Sequence, residues 1–279
     1  MLAPTLQGYL DAWALSDPKL LAETPTSHVY TVVSGGETVV LKLLTPIGVD
    51  DEQSGAVALR CFDGHGAVRL LRHDAGAHLL EYVAGDDLVP LVGRGEDARA
   101  TAIIGDVLNR LHSAAQAAPT DGLVPLRRRF RSLFEQAARE GHLGSQSMFV
   151  RAAALTEDLL AQPRDVCVLH GDIHHENIRH SPARGWLAID PKGVYGERTY
   201  DAANTLCNPY GMPALVENEA RLRQTARILA EQMGVDLARV VAFAFVYACL
   251  SASWTLDAGH DEDAVHALRI ATIIETCLL

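Results

Sequence analysis

One stretch of this chain, from His170 to Asp190, limits its fold and its chemistry more than any other. Within it Asp172 lies five residues before Asn177, and Asp190 follows the short apolar run Trp186–Ile189. An aspartate, four intervening residues, an asparagine and then a second aspartate is the spacing of a kinase catalytic loop followed by a metal-binding aspartate. We therefore predict that Asp172 orients a hydroxyl nucleophile, and that Asn177 and Asp190 hold Mg²⁺.

A lysine inside an otherwise apolar segment extends this pattern. Lys42 lies in VVLKLL, residues 39–44, which is predicted to be a strand. A buried charge without a partner is costly, so we expect Lys42 to bind nucleotide phosphates and to pair with Glu52 on the following helix. Two alternatives stay open. Lys42 could point to solvent from an edge strand, and Glu52, with Asp50 and Asp51, could serve the start of a helix.

The segment Glu81–Ala84 follows another predicted strand. Its backbone, at Glu81 and Val83, could pair with the edge of an adenine ring. The sequence does not separate this role from an ordinary strand end. Together with the lysine and the loop, the segment predicts ATP or GTP as the nucleotide and Mg²⁺ as the metal.

The histidines of the loop suggest a competing hypothesis. His170, His174, His175 and His180, together with Glu176, resemble a metal-binding cluster. However, His175 and His180 are five residues apart, whereas the zinc motif H-E-x-x-H needs a separation of four on one helix. A zinc hydrolase is therefore disfavoured. We expect His170 to brace the loop and the other histidines to face solvent or to support neighbouring groups.

Hydrophobic periodicity predicts an α+β chain with two lobes, 1–84 and 85–279, divided near Gly85. The first lobe contains a small antiparallel sheet and one long helix, and the second is larger and mostly helical. The predicted strands are 29–33, 38–44, 67–72 and 78–83. The predicted helices are 50–61, 126–140, 147–161, 214–233, 237–256 and 261–277, after an amphipathic segment at 6–15.

Composition restricts the partners and the compartment. A net charge of −11 disfavours a nucleic-acid surface and favours a small cationic substrate. The basic run Arg127–Arg129 with Arg131 is therefore expected to be a solvated helix face.

Five scattered cysteines without a C-x-x-C pair and the lack of a signal peptide indicate the cytoplasm. The longest apolar run, Val240–Leu250, is expected to be a core helix and not a membrane span. We expect a monomer or a weak homodimer.

Two longer segments carry a family resemblance. VLHGDIHHENI and AIDPKGVYGERTYDAANTLCNP, with VVLKLL and GHGAVRLLRHD, are similar to the aminoglycoside phosphotransferase superfamily. Specifically, the chain resembles the aminoglycoside/hydroxyurea antibiotic resistance kinases, among them the streptomycin 6-phosphotransferases, over most of residues 28–210. The resemblance implies a protein-kinase-like fold that phosphorylates a hydroxyl with ATP or GTP and magnesium. It makes Asp172 the catalytic aspartate, Asn177 and Asp190 the magnesium ligands, and Lys42 the phosphate-binding lysine.

Two features depart from the kinase pattern. Thr26–His28 contains no glycine where protein kinases carry a glycine-rich loop, so we expect backbone amides of a different turn to cradle the phosphates. Glu176 is expected to add negative charge near the metal site.

The resemblance also suggests an acceptor. It implies a small cationic antibiotic of the streptomycin type, with Asp257 and the acidic residues 261–263 (Asp261, Glu262, Asp263) as candidate ligands of its cationic groups. A charged helix start is an equally good explanation of these acidic residues. The alternatives are a kinase of the same fold that acts on hydroxyurea or a metabolite, and a non-catalytic nucleotide-binding module.

Overall fold

A computed structural model describes residues 5–46, 48–115 and 121–278. Its N-terminal part is a five-stranded antiparallel sheet with the strand order β1-β2-β3-β5-β4. The strands are β1 (Leu15–Glu23), β2 (Ser27–Ser34), β3 (Glu37–Leu44), β4 (Leu70–His73) and β5 (Ala77–Glu81). Helix α1 (Leu6–Trp13) precedes the sheet, and α2 (Val49–Phe62) connects β3 to β4. The expected long helix is α2, and the amphipathic N-terminal segment forms the shorter helix α1.

The β2–β3 hairpin has the predicted form. Ser34 pairs with Glu37, so the turn consists of Gly35 and Gly36. Their φ values are 59° and 87°, a left-handed backbone that glycine adopts without a steric cost. The hairpin brings Lys42 into the centre of the sheet, where β3 lies between β2 and β5. An edge position for this lysine is therefore wrong.

The remainder is mostly helical. Its helices are α3 (Val89–Gly93), α4 (Asp97–Ala114), α5 (Leu126–Arg129), α6 (Arg131–Arg139), α7 (Met148–Ala161), α8 (Tyr200–Leu206), α9 (Pro213–Val216), α10 (Glu219–Met233), α11 (Leu237–Asp257) and α12 (Asp261–Thr276). Its short strands are β6 (Val124–Pro125), β7 (Val166–Leu169), β8 (Ile178–Ser181), β9 (Gly185–Ala188) and β10 (Val194–Glu197). The α+β class is thus confirmed, while the division at residue 84 stays a prediction.

Helix α11 forms the centre of the helical part. Its 21 residues are long and apolar enough to cross a membrane, but 72% of its apolar window is buried inside the protein. Phe243 and Tyr247 on this helix contact the ring of Tyr200 on α8. The expectation of a buried core helix is therefore confirmed. These contacts also tie α8, which borders the loop at Asp172, to the long buried helix α11.

The segment from β7 to β10 forms two small sheets beside this core. β7 and β6 flank β10, and β8 pairs with β9. The stretch between β7 and β8 includes a short 3-10 turn, His175–Asn177. Ala67, which precedes β4, forms an isolated bridge with Ala188. This bridge joins the N-terminal sheet region to the strand pair that ends just before Asp190.

Candidate active site

The loop that carries Asp172 is anchored by a buried carboxylate. Asp201 on α8 accepts hydrogen bonds from the backbone N–H groups of His170 (2.9 Å) and Gly171 (2.7 Å). His112 on α4 lies with its Nε2 2.9 Å from the same carboxylate. Asp201 is 2% exposed. Because three groups from two distant segments converge on it, Asp201 fixes the path of the chain between β7 and Asp172. Asp201 belongs to the segment that resembles the family, but the sequence did not predict a role for it.

His170 braces the loop from its other side, as predicted. Its Nε2 donates to the carbonyl of Ile189 (2.8 Å), and its Nδ1 accepts from the backbone N–H of Asp172 (3.2 Å). Burial lowers the pKa of this imidazole, so the neutral ring with a proton on Nε2 suits both bonds. The bond to Ile189 fixes the Asp172 loop relative to the segment that carries Asp190.

Two side-chain amides hold the Asp172 carboxylate. Asn204 on α8 donates to Oδ1 at 3.0 Å, and Asn177 lies 3.5 Å from Oδ2 while it donates to the Asp172 carbonyl at 2.9 Å. Asn208 in turn donates to Oδ1 of Asn204 at 2.7 Å. The structure thus brings the predicted pair Asp172 and Asn177 together. It adds Asn204, which lies 32 residues downstream and follows no motif spacing.

Lys42, Glu52 and Asp190 also meet, and a fourth residue joins them. Lys42 Nζ is 2.5 Å from Glu52 Oε2 and also contacts Asp190 Oδ1. Lys192 Nζ lies 2.8 Å from Asp190 Oδ2 and 3.7 Å from Glu52 Oε1. The expected contact between Lys42 and Glu52 is therefore present. Lys192 was not among the predicted site residues, although it belongs to the DPKG segment.

The charges of this cluster support one another. Burial disfavours the ionised form of Asp190, but Lys42 and Lys192 outweigh it and hold the pKa of that carboxyl well below its usual range. Burial acts against the charge of Lys192 as well, while Asp190 and Glu52 raise the pKa of this lysine above its usual value. Asp190 and Lys192 therefore each favour the charged state of the other.

A cavity of about 490 Å³ opens beside this cluster. It lies between the N-terminal sheet and the strand pair β8–β9. Its lining includes Thr24, Thr26, Ser27, Lys42, Glu52, Glu81, Tyr82, Val83, Asn177, Arg179, Asp190 and Lys192. Its size and its mixed polar and apolar lining are those of a small-molecule site. Six of the seven predicted site residues line it, and the seventh, Asp172, is bonded to Asn177.

Two groups of lining residues differ in chemistry. The glycine-free turn after β1 contributes Thr24, Thr26 and Ser27, so this turn itself borders the cavity. Thr26 Oγ1 donates to Glu52 Oε1 at 3.2 Å. In the segment after β5, the Glu81 carboxylate pairs with Arg184 and accepts from the Arg69 backbone N–H at 3.0 Å. The Glu81 side chain is thus already paired. A nucleotide base would therefore contact the backbone of the segment that ends at Val83.

Asn177 and Asp190 fit magnesium better than zinc. Both offer oxygen atoms, and magnesium in proteins is commonly held by one or two such side chains together with water and substrate phosphates. Asn177 uses its Nδ2 on Asp172, which keeps its Oδ1 available as a cation ligand. Within residues 5–46, 48–115 and 121–278, no group of three or more His, Cys, Asp or Glu could hold a metal ion. A zinc cluster in the loop therefore has no support.

The remaining histidines of the loop differ from one another. His175 is fully buried, so exposure to solvent, one of the two alternatives expected for it, does not apply. Burial and the nearby charge of Arg221 lower the pKa of His175 to about 4. His174 Nδ1 lies 2.6 Å from Glu176 Oε2. The Glu176 carboxylate is thus engaged by its neighbour two residues earlier.

Acidic and aromatic side chains lie beyond Asp172. Asp257 accepts hydrogen bonds from Ser132 (2.5 Å) and Arg139 (2.9 Å), so protein groups already occupy it. Asp263 has a weaker contact, 3.4 Å from the hydroxyl of Tyr210, whose side chain is largely exposed. Tyr210 lies two residues after Asn208, which contacts Asn204. Asp263 therefore contacts the segment that follows α8.

The basic run also differs from its expectation. Arg127 pairs with Glu157 on the surface. Arg129, in contrast, lies over the Trp254 ring at 4.4 Å from the guanidinium carbon to the ring centroid. A fully solvated helix face is thus wrong for Arg129. The predicted helix 126–140 is interrupted at Phe130, and this break turns Arg129 toward the interior.

Comparisons with known proteins agree with this geometry. The family model of the aminoglycoside/hydroxyurea antibiotic resistance kinases matches residues 12–259. A streptomycin 3''-kinase from Klebsiella pneumoniae is 36% identical, over 94% of this chain and 96% of that protein. A hydroxyurea phosphotransferase from Kitasatospora aureofaciens is 34% identical, over 72% of this chain and 60% of that protein. A streptomycin 6-kinase from Streptomyces glaucescens is 27% identical, over 92% and 84%.

Solved structures show the same fold. An aminoglycoside phosphotransferase, APH(4)-Ia, in complex with ADP and hygromycin B has a TM-score of 0.64 at 14% identity, over 96% of this chain and 97% of that one. A choline kinase from Streptococcus pneumoniae has a TM-score of 0.68 at 14% identity, over 97% of both chains. The protein-kinase-like fold is thus confirmed. The chain belongs to the aminoglycoside/hydroxyurea antibiotic resistance kinase family, and it is a phosphotransferase.

Proposed function

We propose that this enzyme transfers the γ-phosphoryl group of a nucleoside triphosphate to a hydroxyl of streptomycin. The observation that supports the reaction most strongly is the convergence of Asp172, Asn177, Asp190 and Lys42 at one cavity. The observation that supports the acceptor is the 36% identity to a streptomycin 3''-kinase over nearly the whole of both chains. The net charge of −11 suits a cationic acceptor.

In the proposed reaction, Asp172 accepts the proton of the acceptor hydroxyl while the hydroxyl oxygen attacks the γ-phosphorus. The bond from phosphorus to the β,γ-bridging oxygen breaks, and the nucleoside diphosphate leaves with that electron pair. Asn204 keeps the Asp172 carboxylate turned toward the acceptor through the bond to Oδ1. Such a positioned base contributes about 10²–10⁴-fold in rate.

The nucleotide occupies the 490 Å³ cavity in this proposal. Lys42, held by Glu52, binds its phosphates, and the backbone near Glu81 and Val83 pairs with its base. Asn177 and Asp190 hold Mg²⁺, which neutralises charge that develops on the phosphate oxygens when it is bound. The pocket lining sets no preference between ATP and GTP, so both belong in the assay. The enzyme acts in the cytoplasm, as a monomer or a weak homodimer.

The position of phosphorylation is the next level of detail. The streptomycin 3''-kinase shares 36% identity with this chain, and the two streptomycin 6-kinases share 27% and 26%. We therefore infer the 3''-hydroxyl as the acceptor. Two-dimensional NMR of the purified product locates the phosphate by its coupling to one ring proton. A coupling at position 6 would overturn the regiochemistry and leave the reaction class intact.

Hydroxyurea is a second candidate, since a hydroxyurea phosphotransferase shares 34% identity over 208 residues. The two acceptors differ in charge, because streptomycin carries guanidinium groups and hydroxyurea is neutral. Asp263, next to Tyr210, should therefore matter for streptomycin alone. We expect Asp263→Asn to raise KM for streptomycin by about 1.5-fold to fivefold, the usual scale of one exposed charge contact. An equal change for hydroxyurea would contradict this role.

A phosphotransfer panel tests the proposal as a whole. The purified chain is incubated with ATP or GTP, Mg²⁺ and one acceptor from a set that includes streptomycin, hygromycin B, hydroxyurea and choline. We expect kcat/KM for streptomycin to exceed the others by at least about tenfold. Turnover of hydroxyurea or choline without streptomycin turnover would overturn the acceptor. Nucleotide binding without any turnover would support a non-catalytic module instead.

A further inference from the structure

Lys192 occupies a position that the kinase pattern does not explain. Lys42 and Lys192 each contact both Glu52 and Asp190, and each lysine uses a different oxygen of each carboxylate. The four side chains therefore form a closed ring of alternating charge. Asp190 has both of its oxygens engaged by ammonium groups in this arrangement. A metal ion that binds Asp190 therefore shares a carboxylate oxygen with a lysine or displaces that lysine.

The two lysines are not held equally. Lys42 lies on the central strand β3, its side chain is 8% exposed, and its bond to Glu52 is 2.5 Å. The Lys192 side chain is 21% exposed, and its distance to Glu52 is 3.7 Å. Without its bond to Asp190, Lys192 would keep only the longer contact of 3.7 Å with Glu52. Lys192 is therefore the lysine that yields when a cation binds Asp190.

The backbone of Lys192 is fixed by hydrogen bonds on both sides of the residue. Its N–H donates to the His170 carbonyl at 2.7 Å, and its carbonyl accepts from Ser54 at 2.9 Å. The next residue, Gly193, has φ of +60°. A Cβ at this position would lie 1.9 Å from the Ser54 carbonyl oxygen, so only glycine fits here. The ammonium group is thus carried by a rigid backbone that is bonded directly to the loop of Asp172.

We propose that Lys192 is a second catalytic lysine of this enzyme, which rests on the proposed phosphotransfer at the same site. Without metal, its ammonium group neutralises Asp190 in the place of a cation. When Mg²⁺ binds Asp190, the side chain of Lys192 turns to the γ-phosphoryl group. There it stabilises the negative charge that builds up on the equatorial oxygens as the group moves to the acceptor. Lys42, in contrast, holds the nucleotide phosphates before and after transfer.

The binding of a transition-state analogue separates this role from a structural one. We expect Lys192→Met to change the Kd of ADP·Mg²⁺ by less than about threefold, and to weaken ADP·Mg²⁺ with aluminium fluoride by about 100-fold. The value of kcat should fall by a similar factor. Lys19→Met, a change on the exposed strand β1, is the matched control and should leave all three values unaltered. An equal loss for ADP and for the fluoride complex would overturn the proposal, as would an unchanged kcat.

The magnesium requirement gives a second readout. Because Lys192 competes with Mg²⁺ for Asp190, Lys192→Met should lower the Mg²⁺ concentration for half-maximal ADP binding. A lysine that merely positions Asp190 would give a higher requirement in the variant, and that result would contradict the proposal. Lys192→Arg keeps a positive charge next to Asp190. Thermal unfolding of both variants shows whether a change in binding comes from the lost charge or from a destabilised fold. None of the binding measurements needs an acceptor, so they test Lys192 even if streptomycin is not the substrate.

Discussion

At the residue scale, the Asp172 carboxylate is set by two amides from different parts of the chain. Asn177 belongs to the same loop, whereas Asn204 reaches it from α8. An amide donor on Oδ1 fixes the rotation of the carboxylate, and general-base catalysis depends on that orientation. Asn208 then limits the motion of Asn204. The effect of Asn204 on the rate should therefore be indirect, through the geometry of Asp172.

We predict that Asn204→Asp lowers kcat by about 10- to 100-fold, because a misplaced base loses part of its contribution. The replacement has the same shape but sets an acceptor oxygen against Asp172. The KM for nucleotide should stay within about twofold, since Asn204 does not line the nucleotide cavity. Steady-state kinetics with each substrate varied give both values. Asn208→Ala, one bond farther away, should have a smaller effect on kcat. A wild-type kcat in Asn204→Asp would refute the positioning role.

The site residues that the sequence predicted differ from those it missed in how far along the chain their partners lie. Asp172, Asn177 and Asp190 were predictable because a kinase loop fixes their spacing within one segment. Lys42 and Glu52 were predictable because a lone charge in an apolar strand needs a partner. Asp201 and Asn204 were not, since they reach the loop from α8 and their distance along the chain follows no rule. Lys192 belongs to the quoted DPKG segment, yet the sequence did not show that its side chain lies beside Lys42 and Glu52.

At the element scale, α8 anchors the catalytic loop through one carboxylate. Asp201 accepts the N–H groups of His170 and Gly171 and also contacts His112. Without this acceptor, the buried donors would lose their partner, and an unsatisfied buried polar group costs about 1–3 kcal/mol. The link between α4, α8 and the loop should therefore contribute to the stability of the fold as well as to catalysis.

We predict that Asp201→Leu lowers the free energy of unfolding by about 3–5 kcal/mol, because three buried groups lose their acceptor. Urea denaturation followed by circular dichroism measures this difference. Asp158→Leu is the control, because Asp158 lies exposed on helix α7. That change should have a much smaller effect. Equal destabilisation by the two substitutions would show that Asp201 is not an anchor.

A buried histidine on β5 gives the sheet a dependence on pH. Burial and the charge of Lys42 lower the pKa of His78 to about 4, below its usual value of 6.5. The unfolded chain therefore takes up a proton at a higher pH than the folded chain does. The stability that depends on neutral His78 is complete above about pH 6.5 and decreases as the pH falls toward about 4.

We predict that His78→Leu makes the protein less sensitive to acid. Between about pH 7.5 and pH 5, the wild type should lose about 2 kcal/mol more stability than the variant, from the proton that unfolding adds to His78. Urea denaturation at both pH values measures each difference. Other buried histidines contribute equally in both proteins, so the comparison isolates His78. The same pH dependence in both proteins would mean that His78 does not cause the loss of stability in acid.

The elements themselves show where sequence patterns suffice. The β2–β3 hairpin was predictable because two glycines separate two runs of β-forming residues. Strand β1 was missed, because it is exposed along nearly its whole length and contains Pro18, so it shows no apolar alternation. The break at Phe130 was also missed, since apolar spacing continues through it. Contacts with the rest of the fold determine both features.

At the scale of the whole molecule, the nucleotide cavity lies between the N-terminal sheet and the strands β8 and β9. Lys42 and Glu52 come from the first part of the chain, while Asn177 and Asp190 come from the second. A ligand that contacts both parts binds the folded chain and not the unfolded one. Binding should therefore stabilise the entire protein.

We predict that ADP with Mg²⁺, at about 100 times its Kd, stabilises the fold by about 2.7 kcal/mol. This corresponds to a rise in Tm of about 4–8 °C for a chain of this size. Differential scanning fluorimetry measures the shift. Lys42→Met at the same ligand concentration should show a much smaller rise, since it removes a phosphate contact. A full shift in Lys42→Met would mean that the nucleotide binds elsewhere.

The central claim is that this chain phosphorylates streptomycin with Asp172 as the base. Mass spectrometry of streptomycin after incubation with ATP, Mg²⁺ and enzyme tests it most directly, with Asp172→Asn run in parallel. We predict a product heavier by one phosphoryl group with the wild type, and a rate lower by about 10²–10⁴-fold with the variant, whose nucleotide affinity is unchanged. Unmodified streptomycin after incubation with the wild type, or equal product from both proteins, would contradict the claim.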